Sequence, residues 1–147
     1  ERYSADPDIE IQTDFSSNST VFSADMLITD WSDIAWEYAF TTKRPVLFVN
    51  TPMKIMNPDY DKLPIVPMNI ALRKVLGRDI DPDRLGDIDA AVRELLENKD
   101  GYRDIISKTL DEMVYNVGSS AEVGAKYIIA AVQKKVRERK ENNEKNS

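Results

Sequence analysis

Along the chain the apolar positions change their period several times, and each change marks an element. Ile9 and Ile11 alternate with Glu10 and Gln12 after Pro7, which predicts a short strand. Residues 18–24 read as a short helical turn. Met26, Leu27, Ile28 and Thr29 then form a compact apolar run stopped by Asp30, the pattern of a strand buried on both faces. Ile34, Ala35, Tyr38 and Ala39 recur at helical spacing, and this helix has to end by Arg44, because the residue before Pro45 is pushed out of the α region. Val46, Leu47, Phe48 and Val49 form a second buried strand, closed by Asn50, Thr51 and Pro52.

Strand, helix and strand within about 25 residues make a βαβ unit, with parallel strands and a right-handed crossover. The fold class that follows is α/β, a Rossmann-like parallel sheet with flanking helices. Residues 51–82 hold five of the seven prolines among Met, Asn, Asp and Tyr, so a long irregular excursion is expected there, the rim or lid of a cleft. Beyond Pro82 the chain turns helical. Leu85, Ile88, Ala91, Val92, Leu95 and Leu96 share one face, and Ile105, Ile106, Leu110, Met113 and Val114 another, with 98–101 as punctuation. Asn116, Val117 and Gly118 break the pattern again, and Ser119 or Ser120 caps a last helix that turns Val123, Tyr127, Ile128, Ala131 and Val132 toward the core. Past Val136 nothing periodic remains, and no internal repeat is present.

Composition narrows the classes. A chain of 147 residues that is 41% hydrophobic supports one core, expected over 1–133, with 134–147 a charged helix end and tail. No apolar run approaches the roughly 20 residues of a membrane span. The chain opens on Glu1 without a Met or a signal peptide, so it is expected to be a piece of a longer protein. With no His and no Cys, thiol nucleophiles, disulfides, Ser-His-Asp triads and His- or Cys-ligated zinc are excluded. Only carboxylate oxygens are left for a metal. Asp79, Asp81, Asp83, Asp87 and Asp89 lack the glycine and the closing Glu of a calcium loop, so no metal site is assigned. The absence of Cys agrees with a reducing cytoplasm.

The net charge of −6 is uneven. Residues 134–147 carry six Lys/Arg against three Glu, which leaves −9 on 1–133. Such a body repels phosphate backbones, and no nucleic-acid partner is expected. Lys134, Lys135, Arg137, Arg139 and Lys140 have two readings, contact with anionic lipid or a solvated helix end, of which the second is preferred.

In open parallel sheets, ligands bind at the carboxyl ends of the strands, where the next helix presents unpaired N–H groups and the positive end of its dipole. Thr29, Asp30, Trp31, Ser32 and Asp33 occupy that place. Hydroxyls at Thr29 and Ser32 can donate to a phosphate, and Glu37, one turn on, can accept from a ribose hydroxyl. The plainer alternative stays open: Ser32 or Asp30 as a simple helix cap, and Asp33, Glu37 and Thr41 as a solvated stripe. Gly118, Ser119 and Ser120 are a second Gly-Ser turn opening a helix, either an anion cradle or a C-cap followed by an N-cap. Trp31 and Trp36 cannot share a helix face squarely, so one is expected in the core and the other in a pocket wall or domain contact. Arg73, Lys74 and Arg78 are local cations for a pyrophosphate.

The stretch Ala24-Asp25-Met26-Leu27-Ile28-Thr29-Asp30-Trp31-Ser32-Asp33-Ile34-Ala35-Trp36-Glu37-Tyr38, with Lys43-Arg44-Pro45-Val46-Leu47-Phe48 after it, resembles the CDP-glycerol glycerophosphotransferase family of teichoic-acid synthesis. That family reads Asp, an apolar pair, Ile-Thr-Asp-Tyr-Ser-Ser, an acidic residue a few positions on, and Lys-Arg-Pro opening a strand. Trp31 stands for the aromatic, Ser32 for the first serine and Glu37 for the acidic residue, while Asp33 replaces the second serine. The likeness continues more loosely through Gly77, 85–98 and Gly118 to Ala121.

The resemblance implies the C-terminal, donor-binding half of a GT-B transferase, with its catalytic histidines upstream of the matched segment. The implied reaction moves glycerol phosphate, or a related polyol phosphate, from a CDP donor to a lipid-linked acceptor bound through an N-terminal half. It also implies a cytoplasmic protein at the inner face of the membrane. Within it, Thr29 and Ser32 serve pyrophosphate and Glu37 ribose, Asp30 and Asp33 lie at the donor, and Gly118, Ser119 and Ser120 add a phosphate contact. No catalytic residue and no cofactor is assigned to this chain, which alone is expected to be inactive. Two rivals stand beside it: the donor half of a GT-B UDP-sugar transferase or epimerase, and a non-catalytic nucleotide-binding or interaction domain docking through 51–82.

Overall fold

The computed structural model describes residues 3, 5–14, 19–53, 55 and 57–145. They form two compact units, Glu1–Lys108 and Thr109–Ser147. The first unit is α/β. A short helix α1 (Ser19–Ser23) leads into β1 (Leu27–Thr29), α2 (Ile34–Thr42) and β2 (Val46–Val49). After a 3-10 turn at Tyr60–Lys62 come α3 (Met68–Ala71), α4 (Arg73–Leu76) and β3 (Gly77–Ile80). A 3-10 stretch, Pro82–Asp87, opens α5 (Ile88–Glu97), and α6 (Lys99–Met113) runs out of the unit.

The three strands lie in the order β1-β2-β3, all parallel. Leu27 pairs with Val46 and Thr29 with Phe48, while Val46 pairs with Gly77 and Val49 with Ile80. The expected βαβ unit is therefore present. Because side chains alternate across a strand, β2 feeds two layers. Leu47 joins Ile80, Ala91 and Leu95 beneath α5, with Met26, Val49, Ile88, Val92 and Tyr102 packed around them. Phe48 turns the other way, beside Ala35, Leu72 and Leu76 of the α2–α4 layer. Val46, Leu47, Tyr38, Ala39, Ala91 and Leu95 are fully buried.

α2 stops where the pattern says, at a left-handed Lys43 (φ 58) whose N–H donates to the Ala39 carbonyl at 2.8 Å. Arg44 then reaches back, donating to the Ser23 and Ala24 carbonyls at 3.1 and 2.5 Å. The Tyr38 hydroxyl donates to the Ala24 carbonyl too, at 2.8 Å, so the middle of α2 and the residue before Pro45 are both tied to the chain before β1.

Several expectations fail for identifiable reasons. Residues 9–12 are not a strand: Ile9 and Ile11 are exposed, and the short alternation finds no ladder partner among the described residues. β1 is not buried on both faces, because α5 lies over β2 and β3 and leaves Ile28 47% exposed. Residues 51–82 are irregular only in their first half and contain α3, α4 and the third strand. β3 escapes a hydrophobic pattern because its middle is polar: Arg78 pairs with Glu94 of α5, and the Asp79 carboxylate accepts from the Asn50 amide at 2.9 Å. Its first residue is glycine because a Cβ there would lie 1.8 Å from the Val46 carbonyl oxygen. The break between α5 and α6 is Asn98 alone, and Gly101 lies inside α6.

In the second unit, Asn116 (φ 56) and Gly118 (φ 80) turn the chain into α7 (Ser120–Lys145), which continues well past Val136. Val123, Tyr127, Ile128 and Val132 do not enter a core but are 43–76% exposed. Besides α7 this unit holds only the end of α6, too little surface to cover a helix that is apolar around much of its first half. Among the described residues no helix is long and apolar enough to cross a membrane.

Candidate functional site

Each strand of the sheet is followed at its carboxyl end by polar residues: Asp30 after β1, Asn50 and Thr51 after β2, Asp81 after β3. They converge on Arg73, the first residue of α4, which is 6% exposed. Its guanidinium donates to the Asp30 carbonyl and to the Asn50 Oδ1, both at 2.6 Å. It also lies over the rings of Trp31 and Phe48, 4.0 and 4.5 Å from their centroids. Asn50 turns its amide N–H groups outward, to Asp79 at 2.9 Å and to Asp81 at 2.8 Å. Thr51 closes the ring, its hydroxyl donating to the Asp30 carboxylate at 3.3 Å.

This arrangement keeps a charge under the turn. A buried cation needs anions or hydrogen bonds to stay ionised. Burial lowers the Arg73 pKa, and the fields of Asp79 and Asp30 oppose that. The Asp79 carboxyl is held below its usual range, chiefly by the Asn50 hydrogen bond and with help from Lys74 and Arg73. No carboxylate forms an ion pair with Arg73 among the described residues, and its bond to the Asp30 carbonyl brings the positive charge to the turn, where the fields of Asp30 and Asp79 partly offset it.

That turn carries the expected donor-side residues. Thr29 ends β1, Asp30 to Ser32 cross over, and Asp33 flanks α2 without a side-chain capping bond. At Ser32 the backbone carbonyl takes the Ala35 N–H, at 3.3 Å. The Ser32 hydroxyl and the Asp33 carboxylate have no partner among the described residues, and the N–H groups of Ser32, Asp33 and Ile34 find no acceptor there either. Glu37 is exposed in the first turn of α2. Thr29, Asp30, Ser32, Asp33 and Glu37 thus stand along one strand, turn and helix start. Chemically the site offers N–H and O–H donors to an anion and carboxylates to hydroxyl or amino groups.

Gly118, Ser119 and Ser120 belong to the second unit. The Ser119 N–H and hydroxyl both approach the Asn116 carbonyl, at 2.9 and 3.4 Å, and the Ser119 carbonyl takes the first helical bond from Val123 at 3.0 Å. Lys74 is exposed, Arg78 is paired to Glu94, and of the three local cations Arg73 alone joins the turn. The five Asp of 79–89 are engaged in part by other means, since Arg84 binds Asp87 and Arg93 binds Asp89. Among the described residues no three acidic side chains gather to hold a metal ion.

Trp31 is the pocket-wall tryptophan. Its Nε1 donates to the Thr51 carbonyl at 2.6 Å, and with Asp33, Met53, Tyr60, Asn69 and Ile70 it lines a cleft of about 340 Å³. Trp36 sits in α2 at the margin of the core, tilted 57° against Phe40. The sequence reading gave Asn50, Thr51 and Asn69 no part in the site. A signal existed for the first two, because a polar residue closes every strand at the same end. Comparison with family models, curated proteins and solved structures gave no match.

Proposed function

We propose that this chain is the donor-binding portion of a glycerophosphotransferase that uses CDP-glycerol or a related CDP-polyol in teichoic-acid-like polymer synthesis. In this reading it is the C-terminal half of a GT-B architecture. The observation that carries it is the position of the family-like motif: Thr29 to Glu37 forms the strand, turn and helix start at the carboxyl end of a parallel sheet, with unpaired N–H groups and a buried Arg73 beneath. A pyrophosphate at the turn gains from the helix dipole and from hydrogen bonds to Ser32 and Thr29. Ribose hydroxyls donate to Glu37.

The base for acceptor deprotonation comes from outside this chain, since a group poised near pH 7 is most often His and the chain has none. The lipid-linked acceptor is bound by that same outside segment, at the cytoplasmic face of a membrane. Calorimetry with CDP, CDP-glycerol and UDP tests the donor: heat selective for the cytidine ligands supports the reading. Heat selective for UDP turns it into a UDP-sugar enzyme, and silence toward all three removes it. With CDP-glycerol and a lipid-linked acceptor the chain alone is expected to release no CMP.

A further inference from the structure

A second polar cavity lies before the strands rather than after them. It measures about 380 Å³ and is lined by Asp25, Lys43, Arg44, Leu96, Lys99 and Arg103. Asp25 stands two residues before β1 and Arg44 two before β2, while Leu96, Lys99 and Arg103 come from the junction of α5 and α6. Four cations therefore meet in a body that carries −9 over residues 1–133. Two of them are held by neutral oxygens: the Lys43 Nζ donates to the Phe40 carbonyl at 2.6 Å, and Arg44 donates to the Ser23 and Ala24 carbonyls. The carboxylate in the wall, Asp25, lies 3.8 Å from Arg44 with its side chain 88% exposed. The other two cations share a face of α6, because the bond from the Tyr102 N–H to the Asn98 carbonyl carries the helix across Lys99. Like charges four residues apart on a helix repel. Arg103 has Asp100 at 3.3 Å, and among the described residues no acceptor meets the Lys99 ammonium. Capping of α2 explains Lys43, and the tie to the chain before β1 explains Arg44. Neither explains why Lys99 and Arg103 face the same cavity.

We propose that this cavity is an anion site for a small ligand carrying two phosphoryl groups, held between Lys43 and Arg44 on one side and Lys99 and Arg103 on the other. Even with Asp25 and Asp100 set against them, the cations are in excess, and an anion between the two pairs relieves their mutual repulsion. Guanidinium groups suit phosphate oxygens through paired N–H donors, and the lysines add point charges. A volume of about 380 Å³ lies in the range of small-molecule sites and exceeds what one phosphate fills. The site stands at the far ends of β1 and α2 from the turn and does not rest on the nucleotide reading.

Calorimetric titration of the chain with inorganic pyrophosphate and with inorganic phosphate, in buffer free of metal ions, tests the proposal, and backbone amide shifts locate the ligand. Pyrophosphate is expected to bind at least about tenfold more tightly than phosphate and to move the amides of 43, 44 and 99–103. Lys99→Gln and Arg103→Gln, both on exposed side chains, should each weaken it about fivefold. Ser32→Ala should leave these shifts in place. Arg93→Gln removes the same charge from an exposed pair with Asp89 on α5 and should leave binding unchanged. Pyrophosphate should also raise the urea midpoint of the unmodified chain and not that of the Lys99→Gln, Arg103→Gln double variant. Equal affinity for phosphate and pyrophosphate overturns the choice of a ligand with two phosphoryl groups. A loss in Arg93→Gln as large as in Lys99→Gln overturns the site, because the attraction then belongs to the surface at large. Full affinity in the double variant overturns it too, as do amide shifts confined to 30–34, which place the anion at the turn, and as does silence toward both anions. CDP binding is read separately: its loss removes the reading of the turn and leaves this site standing.

Discussion

The chain contains two turns that look alike on paper, each placing a serine just before a helix, and their supports differ completely. The turn after β1 stands on side chains from the end of β2 and from α4: Arg73 grips the Asp30 carbonyl, Asn50 grips Arg73, and Thr51 grips the Asp30 carboxylate. The turn before α7 is held by its own backbone, through a left-handed Asn116, a left-handed Gly118 and two bonds into the Asn116 carbonyl. A binding turn needs donors fixed before the ligand arrives, because ordering them afterwards subtracts from affinity. By that standard the first turn is prepared and the second is only shaped.

Removing the support should break the contrast most strongly. Arg73→Met removes two charge-assisted, part-buried hydrogen bonds, to the Asp30 carbonyl and the Asn50 amide oxygen, a loss of about 3 kcal/mol in urea unfolding of the first unit. Amide exchange should accelerate at Asn50, whose N–H donates to the Ile80 carbonyl at 2.9 Å, and stay unchanged at Ser119, whose N–H donates to the Asn116 carbonyl at 2.9 Å. Ser32→Ala should weaken CDP binding by about 2 kcal/mol, as expected for one hydroxyl lost from an ionised phosphate, with no change in the unfolding midpoint. Ser119→Ala in the same titration is expected to cost less.

Gly118→Ala sharpens the contrast from the other side. Nothing lies within 4 Å of the added methyl group, so only the left-handed backbone (φ 80) resists it. A destabilisation of about 1 kcal/mol, confined to the second unit, is expected in thermal unfolding. The smallest effect is one of pH. The Asp79 carboxyl binds its proton less readily folded than unfolded, so its contribution to stability is complete above the ordinary carboxylate range. It is lost as pH falls through the lowered value, between about pH 5 and 2. The urea midpoint should drop across that window, and Asp79→Asn should flatten part of the drop.

Elements with a strong apolar period were legible in the sequence. β2, α2 and the parallel crossover between β1 and β2 emerge as expected, because Val46, Leu47 and Phe48 and, on α2, Ala35, Tyr38 and Ala39 are buried for the reason that the pattern gives. β3 was not legible, since Arg78 and Asp79 are stabilised by partners distant in sequence, Glu94 and Asn50, which no local period reveals. α7 misled in the opposite direction: its period promised a core, but a period reports a capacity for burial and not the presence of something to bury against. At the site, the turn from Thr29 to Asp33 could be placed by its position after an apolar strand. Arg73 was legible as one of three cations for a pyrophosphate, but its place beneath the turn and its bond to Asn50 were not, because they depend on where strand ends meet.

Gly77 carries a consequence for the gene rather than the fold. Every missense change open to a glycine codon by a single base substitution introduces a Cβ, and at this position the Cβ meets the Val46 carbonyl oxygen at 1.8 Å, a backbone atom that cannot rotate away. In a saturation-mutagenesis screen Gly77 should therefore tolerate no missense allele. Gly86, Gly101 and Gly124, whose surroundings are open, should drift freely.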